Sequence, residues 1–323
     1  MAQPQFDKCA NLAIEMINGK CYKTMQITVL GCRGSYPVAY PEIMRYGGDT
    51  TCVQVTAGHT LLVLDAGTGL RKLRHLPPHI TEIHLFITHL HWDHIIGLPQ
   101  WALLWAHPDM TLNIYGLERS HNNFYRALER SISDPLYSHT IKDIPMKFQY
   151  HELSPGDEIG LEPGIEIRCA AANHPYRALG YRVQHEGQSF SFVPDTAPFD
   201  RYLFGDEIAY IEKTLTAPER DQLVRMQDGM INLIGDSDWL LYDAALTPEE
   251  YDRLPHWGHS TMAQAVDMAR TAGVKELIFS HHDPKRTDDQ VDAMLAEQRM
   301  INPDMQLAAA YSGMEISVEE AER

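Results

Sequence analysis

From Met25 onward, short apolar runs alternate with turn-forming residues. Gln26–Leu30, Thr51–Val55 and Leu61–Leu64 are rich in β-branched and aliphatic side chains, the spacing of strands separated by Gly-containing turns. Ala57-Gly58-His59 reads as a hairpin turn, and Ile83–Thr88 as an apolar strand. Leu98–Trp105 is apolar nearly all round, as expected of a buried helix. Further strands are expected at Leu112–Tyr115, Ile165–Ala170, Tyr181–His185, Ser189–Val193, Trp239–Asp243 and Lys275–Ser280, with a turn at Glu186-Gly187. Ser260–Thr271 has helical spacing, and Thr261 with Gln264 has the spacing of a capping box. Residues 200–236 are more polar and helical in tone, the pattern of a helical lid. Residues 1–24 form an N-terminal extension in which Leu12, Ala13, Met16 and Ile17 would line one face of a short helix ended by Asn18-Gly19. No repeat or flexible linker divides residues 25–323, so one domain is expected there. Strands in a run, then alternating with helices, suit a layered sheet sandwich with helices outside.

Composition narrows the partners. The formal net charge is −17, and a protein that grips nucleic acid along its phosphates usually carries a basic surface. Long nucleic acid is therefore disfavoured. No apolar run is long enough to span a membrane, and the N-terminus lacks a basic-then-apolar leader. Five cysteines with no C-x-x-C pair suit reduced thiols in a cytoplasmic protein.

The histidines carry the chemistry. In Thr88-His89-Leu90-His91-Trp92-Asp93-His94, three imidazoles and a carboxylate fall within six residues behind an apolar strand. Such donors suit a borderline divalent ion, and one loop of this spacing can supply two neighbouring ions. Three more candidates come after predicted strands: His174 in Asn173-His174-Pro175, Asp195 in Val193-Pro194-Asp195-Thr196, and His281 after Leu277–Ser280.

Together these segments resemble the metallo-β-lactamase superfamily over roughly residues 25–315. The resemblance implies an α+β fold, an αββα sandwich of two facing mixed sheets flanked by helices. It also implies a dinuclear centre. The first ion would take His89, His91, His174 and Asp195, and the second Asp93, His94, Asp195 and His281, with Asp195 bridging. His282 is an alternative to His281 on spacing alone; His281 is preferred because it directly ends the strand. Zinc is the expected metal, and the same donors admit manganese, iron or nickel.

Trp239–Ala245 and Trp257-Gly258-His259-Ser260-Thr261 resemble motifs of the ribonuclease Z-like phosphodiesterases, a branch that includes the cyclic phosphodiesterase of phosphonate breakdown. The resemblance makes His259 a general acid or phosphate ligand and Asp243 its orienting partner. Asp93 joins them as a ligand that also serves catalysis. The implied reaction is attack on phosphorus by a hydroxide generated at the metals. Two departures pull away from tRNA: Asp243 stands where glutamate is usual, and no basic Gly-Pro-rich arm is present. A small phosphodiester such as a cyclic nucleotide is the expected substrate. The alternatives are a thioesterase, lactonase or β-lactam hydrolase on the same metals, or an inactive metal-stabilised binding module. Arg33, Tyr176, Arg177 and His282 are candidate substrate contacts, and Asp65 in Asp65-Ala66-Gly67 is expected to support the ligands from behind. A homodimer is compatible with all of this.

Overall fold

The computed structural model describes residues 25–118, 124–133, 138–161, 164–204 and 215–317. The first sheet takes the N-terminal half: β1 (Gln26–Gly31), β2 (Cys52–Ala57), β3 (Thr60–Leu64), β4 (Glu82–Phe86), β5 (Thr111–Leu117) and β6 (Lys147–Leu153). The second takes the remainder in mirrored order: β7 (Glu158–Gly160), β8 (Ile165–Ala172), β9 (Ala178–His185), β10 (Gln188–Val193), β11 (Trp239–Asp243), β12 (Glu276–Ser280) and β13 (Gln306–Ala309). A last short strand, β14 (Glu315–Ile316), returns to pair antiparallel with β1.

The two sheets share one plan. β1, β2 and β3 run antiparallel, then β3 to β6 run parallel. β7 to β10 run antiparallel, then β10 to β13 run parallel. Parallel strands covered on both faces should be apolar throughout, and β3 (TLLVL) and β11 (WLLYD) are buried at every position. Alternate side chains of each strand serve different layers. Val55, Leu62, Leu64, Phe86, Tyr181, Phe192, Leu241 and Ile278 meet between the sheets. Leu61, Val63, Ile83 and Leu85 face the opposite way, against Leu98, Trp101 and Leu104.

Helices cover the outer faces. The short α1 (Trp92–Ile95), α2 (Leu103–Ala106) and α3 (Phe124–Ser131) belong to the first half. α4 (Ala217–Ile234), α5 (Pro248–Arg253), α6 (Met262–Thr271) and α7 (Asp288–Ile301) belong to the second. Met230 and Leu233 of α4, Ala265 and Val266 of α6, and Val291 of α7 share a core with Leu240, Tyr242 and Phe279. Thr261 caps α6, accepting from the backbone of Gln264 in a capping box. Both expected tight turns are present, with Gly58, Glu186 and Gly187 at positive φ.

Two segments differ from the sequence pattern. The single helix expected at Leu98–Trp105 is a 3-10 turn (Leu98–Gln100) and then the one-turn α2. Pro99 opens the first turn and extended backbone at Trp101 ends it; Trp101 is buried and donates from its indole to Leu73 O at 3.0 Å. Within the stretch expected as a lid, α4 lies flat on β8 and β9 with its apolar side in the core, so it is an outer layer of the sandwich. Residues 205–214 of that stretch, and the extension at 1–24, lie outside the described residues. No helix among the described residues is long and apolar enough to cross a membrane.

Candidate metal centre

The topology brings distant segments to one rim. β1, β3, β4, β8, β10, β11 and β12 all end on the same side of the sandwich, and the loops leaving their C-terminal ends form the site. Asp65 comes directly after β3, His89 to His94 after β4, and His174 after β8. Asp195 comes after β10, Asp243 ends β11, and His281 comes after β12. Loops on a rigid sheet end are a common way to hold reactive groups in fixed geometry.

His91 is the N-cap of α1, and that single helical turn buries Asp93 and His94, with the His94 ring 4.3 Å from that of His89. Two separate donor groups result, each with its atoms within 4.8 Å of one another: His89, His91, His174 and Asp195, and Asp93, His94 and His281; a third set of the same spread, Asp195, His259 and His281, overlaps both. Asp195 stands between them. Its Oδ2 is 3.8 Å from His89 Nε2 and 3.7 Å from His174 Nε2. Its Oδ1 is 3.1 Å from His94 Nε2 and 3.2 Å from His281 Nε2. One carboxylate thus turns one oxygen toward each group. His91 Nδ1 lies 2.8 Å from His89 Nε2 and 3.2 Å from His174 Nε2. These separations approximate the spacing of about 3.3 Å between neighbouring nitrogens on one tetrahedral ion with bonds of about 2.0–2.1 Å.

Whether these residues suit metal ions can be tested on the polar atoms themselves. Buried polar atoms are normally paired, yet His94 Nε2 and Asp195 Oδ1 are buried without a hydrogen bond. Both face the same small space. Imidazole nitrogens and carboxylate oxygens converging on it, with His94 Nε2 and Asp195 Oδ1 3.1 Å apart, suit a divalent ion.

The rear nitrogens of His94, His89 and His174 are held from behind, whereas His281 Nδ1 is buried without a hydrogen bond. Asp65 sits at positive φ (58°) and its Oδ2 accepts from His94 Nδ1 at 2.7 Å, which aims Nε2 at the centre. Its Oδ1 accepts from Thr88 N at 2.7 Å, and Thr88 Oγ1 lies 3.0 Å from His89 Nδ1. His174 Nδ1 donates to Gly258 O at 2.8 Å. Burial pushes His89 far down and His174 down to about 3, which keeps both imidazoles neutral and able to donate a lone pair. For His94 and His281 burial acts in the same sense, but Asp195 and the neighbouring carboxylates outweigh it; His281 rises to about 9. In the same pairings, His281 and His94 hold Asp195 well below the usual carboxylate range despite its burial.

Beside the two groups lies a second device. His259 Nδ1 bonds Asp243 Oδ2 at 2.7 Å, leaving Nε2 as the free ring nitrogen. The His259 ring stacks on His281 at 4.6 Å and lies 5.3 Å from His174. Asp243 is fully buried and held by the backbone N–H of Thr196 (3.0 Å), Ala245 (3.1 Å) and Ser260 (3.3 Å).

The candidate substrate contacts divide. Tyr176 is at the site, its ring 6.0 Å from His91. Arg177 lies over the Phe204 ring at 5.0 Å and lines a separate cavity of about 720 Å³ between β8 and α4. Arg33 is no substrate contact. It is completely buried, and its guanidinium donates to Gly47 O, Asp283 O, Arg286 O, Ile43 O and Asp288. His282 also faces away: its Nε2 donates to Ala310 O at 2.9 Å and its ring meets Tyr46 edge-on. The backbone of His281, at φ 59°, turns the two adjacent imidazoles in different directions.

Several contributors carry no clear mark in the sequence. Thr88, Thr196 and Ser260 position Asp65 and Asp243, although each looks like an ordinary turn or strand-end hydroxyl residue. A Cβ at Gly34 would lie 2.3 Å from the His281 ring, and one at Gly258 (φ +87°) 2.4 Å from His174 Nδ1. The signal available was a glycine directly beside a residue singled out for its chemistry; at Gly258 the positive φ is a second reason for glycine, at Gly34 the close approach of His281 is the reason.

Comparison with known proteins agrees with this fold. A family model described as a beta-lactamase superfamily domain matches residues 60–216. The curated ribonuclease Z of Haloarcula marismortui is 24% identical over 321 residues, covering 92% of this chain and 97% of the relative. Among solved structures, a diphosphatase of the PhnP family superposes with a TM-score of 0.61 at 19% identity, covering 91% of this chain and 98% of that one. The short form of human tRNase Z superposes with a TM-score of 0.59 at 20% identity, covering 91% and 99%. At these identities the superpositions speak for the fold alone. The matched family model, the shared fold and the converging histidines and carboxylates make the chain a metal-dependent hydrolase that resembles the metallo-β-lactamase superfamily and, within it, the ribonuclease Z-like branch.

Proposed function

We propose that the protein is a dinuclear phosphodiesterase acting on a small phosphodiester such as a cyclic nucleotide. His89, His91, His174 and Asp195 would hold one divalent ion, and Asp93, His94, His281 and the other oxygen of Asp195 the second. Zinc is the expected metal on donor chemistry. When bound, such a pair of ions polarises the phosphoryl oxygen and lowers the pKa of water.

The observation that carries this function is the His259–Asp243 pair at 2.7 Å beside the two donor groups. A thioester releases a thiolate, which departs without a second acid of this kind. A phosphodiester releases an alkoxide that benefits from one. Asp243 accepts the Nδ1 proton and fixes the tautomer, so that His259 Nε2 can carry a proton to the departing oxygen. Thr196, Ala245 and Ser260 keep Asp243 from rotating. Asp93, anchored by Ser35 N at 2.7 Å, presents its carboxylate to the second group and orients what binds there. The net charge of −17 weighs against a long polyanion, although proteins named ribonuclease Z are among those similar in sequence.

The test is hydrolysis of bis-p-nitrophenyl phosphate, then a panel of cyclic nucleotides, dinucleotides, short RNA, thioesters and lactones. Turnover of phosphodiesters that stops on chelation is expected, and for the nucleotides, whose departing alkoxide needs a proton where p-nitrophenolate does not, a fall of about 10²–10⁴-fold in His259→Ala. Turnover of esters or lactones with no phosphodiesterase activity would overturn the proposal.

A further inference from the structure

Large apolar side chains are mostly buried in this chain, so the exceptions are informative. Four exposed aromatics lie within two residues in the chain of a group that forms or holds the site, each on a different segment. Trp92 lies between His91 and Asp93 in sequence and is 66% exposed. Tyr176, 40% exposed, is two residues from His174, with its ring edge-on to His91. Trp257, 45% exposed, precedes Gly258, whose backbone oxygen holds His174. Tyr36, 47% exposed, adjoins Ser35, whose N–H holds Asp93. Tyr176 and Arg177 are consecutive non-glycine residues at positive φ (60° and 67°), a conformation kept only where the surroundings impose it.

We propose that Trp92, Tyr176, Trp257 and Tyr36 form an aromatic rim that holds a nucleobase, making the substrate a nucleoside-bearing phosphodiester; this rests on the phosphodiesterase activity proposed above. Two physical arguments support it. Every base offers a π face, and aromatic side chains stack on it without needing a particular hydrogen-bond pattern. Stacking also needs no positive surface. A chain of charge −17 cannot gather several phosphates along a basic track, but it can hold one phosphate at the metal centre and one base on rings beside it. The rim then selects the organic group, and the centre performs the cleavage.

Two substrates with the same p-nitrophenolate leaving group separate these roles: thymidine 5′-(p-nitrophenyl phosphate) and methyl p-nitrophenyl phosphate. The wild type should show a KM at least about tenfold lower for the thymidine ester. In Trp92→Ser/Trp257→Ser the ratio of the two KM values should shrink to less than about threefold. Trp92→Phe/Trp257→Phe, which keeps rings in place, should retain most of the ratio, as should Met300→Ser, a change at an exposed residue on a different element. An unchanged ratio in the double serine variant, or a wild-type ratio near one, overturns the proposal. So does a change from dimer to monomer with the ratio intact, because the rings would then serve contact between copies. Should the wild type cleave neither ester, the phosphodiesterase activity fails by itself, and calorimetric binding of thymidine 5′-monophosphate decides the rim. About tenfold weaker binding in the serine variant supports it, and equal binding overturns it.

Discussion

Two buried polar clusters, centred on Arg33 and Asp195, are linked through the adjacent His282 and His281 and differ in one respect. Around Arg33, the five N–H donors of the guanidinium meet four backbone oxygens and Asp288. Asp288, first residue of α7, also accepts from the backbone N–H of Arg45 and Tyr46. Around Asp195, by contrast, buried atoms are left without hydrogen bonds: its own Oδ1 and His94 Nε2. A complete partner set marks a charge that ties the fold together. An incomplete set, aimed from several loops into one space, marks a site that something else completes.

The largest effect is expected at the bridging carboxylate. Asp195→Asn should abolish most hydrolysis, a loss greater than the ~10–100-fold in metal affinity typical of an outer supporting partner. Metal content should fall from two ions toward one or none, measured by elemental analysis of the gel-filtered protein. The unfolding midpoint in chelator should barely move, because that residue serves the centre more than the fold.

Arg33→Met should do the reverse. Leaving Asp288 buried without its partner should cost about 3–5 kcal/mol in urea denaturation. Folded protein that survives should keep its metal and most of its turnover per ion. A large loss of turnover with normal stability would restore Arg33 as a substrate contact.

The centre was readable in the sequence and the Arg33 cluster misleading for one physical reason. A dense set of histidines behind an apolar strand carries its own meaning, because few structural roles demand His89, His91 and His94 together. A lone arginine after a Gly-Cys turn does not. What settles Arg33 is the backbone oxygens of Ile43, Gly47, Asp283 and Arg286, which come from loops far apart in the chain. His282 was open to misreading in the same way, since the φ of 59° at His281 that turns it aside leaves no trace in the sequence. The central strands were legible from their apolar runs, whereas β6, β7, β13 and β14 are short or half-exposed edge elements with little such signal. Asp243 and His259 were legible as a motif, but not the Thr196, Ala245 and Ser260 backbone groups that hold Asp243.

Smaller effects sharpen the contrast. Asp65→Ala removes only the partner behind His94, so metal affinity should weaken by about 10–100-fold while saturating metal restores turnover. Competition against a chelating dye measures this. The smallest effect is acid sensitivity from His282, which burial holds down to about 3. Its folded pKa lies below the unfolded value of about 6.5, so the unfolded state binds more protons between those values. Stability from this group is complete above that range and falls as pH drops through it, by up to about 1.4 kcal/mol per pH unit. His282→Phe should flatten the acid limb of the chelator-treated protein in urea denaturation.

The most direct test joins metal content to the His259–Asp243 pair. Metal-free protein is titrated with zinc while hydrolysis of a 2′,3′-cyclic nucleotide, whose departing group is an alkoxide, is followed in the wild type and in His259→Ala. Both proteins should bind two equivalents, and wild-type activity should rise with occupancy. Turnover in the fully loaded variant should be about 10²–10⁴-fold lower. Fewer than about two ions in the wild type, or equal turnover by the two loaded proteins, would contradict a dinuclear phosphodiesterase that uses His259 as its acid.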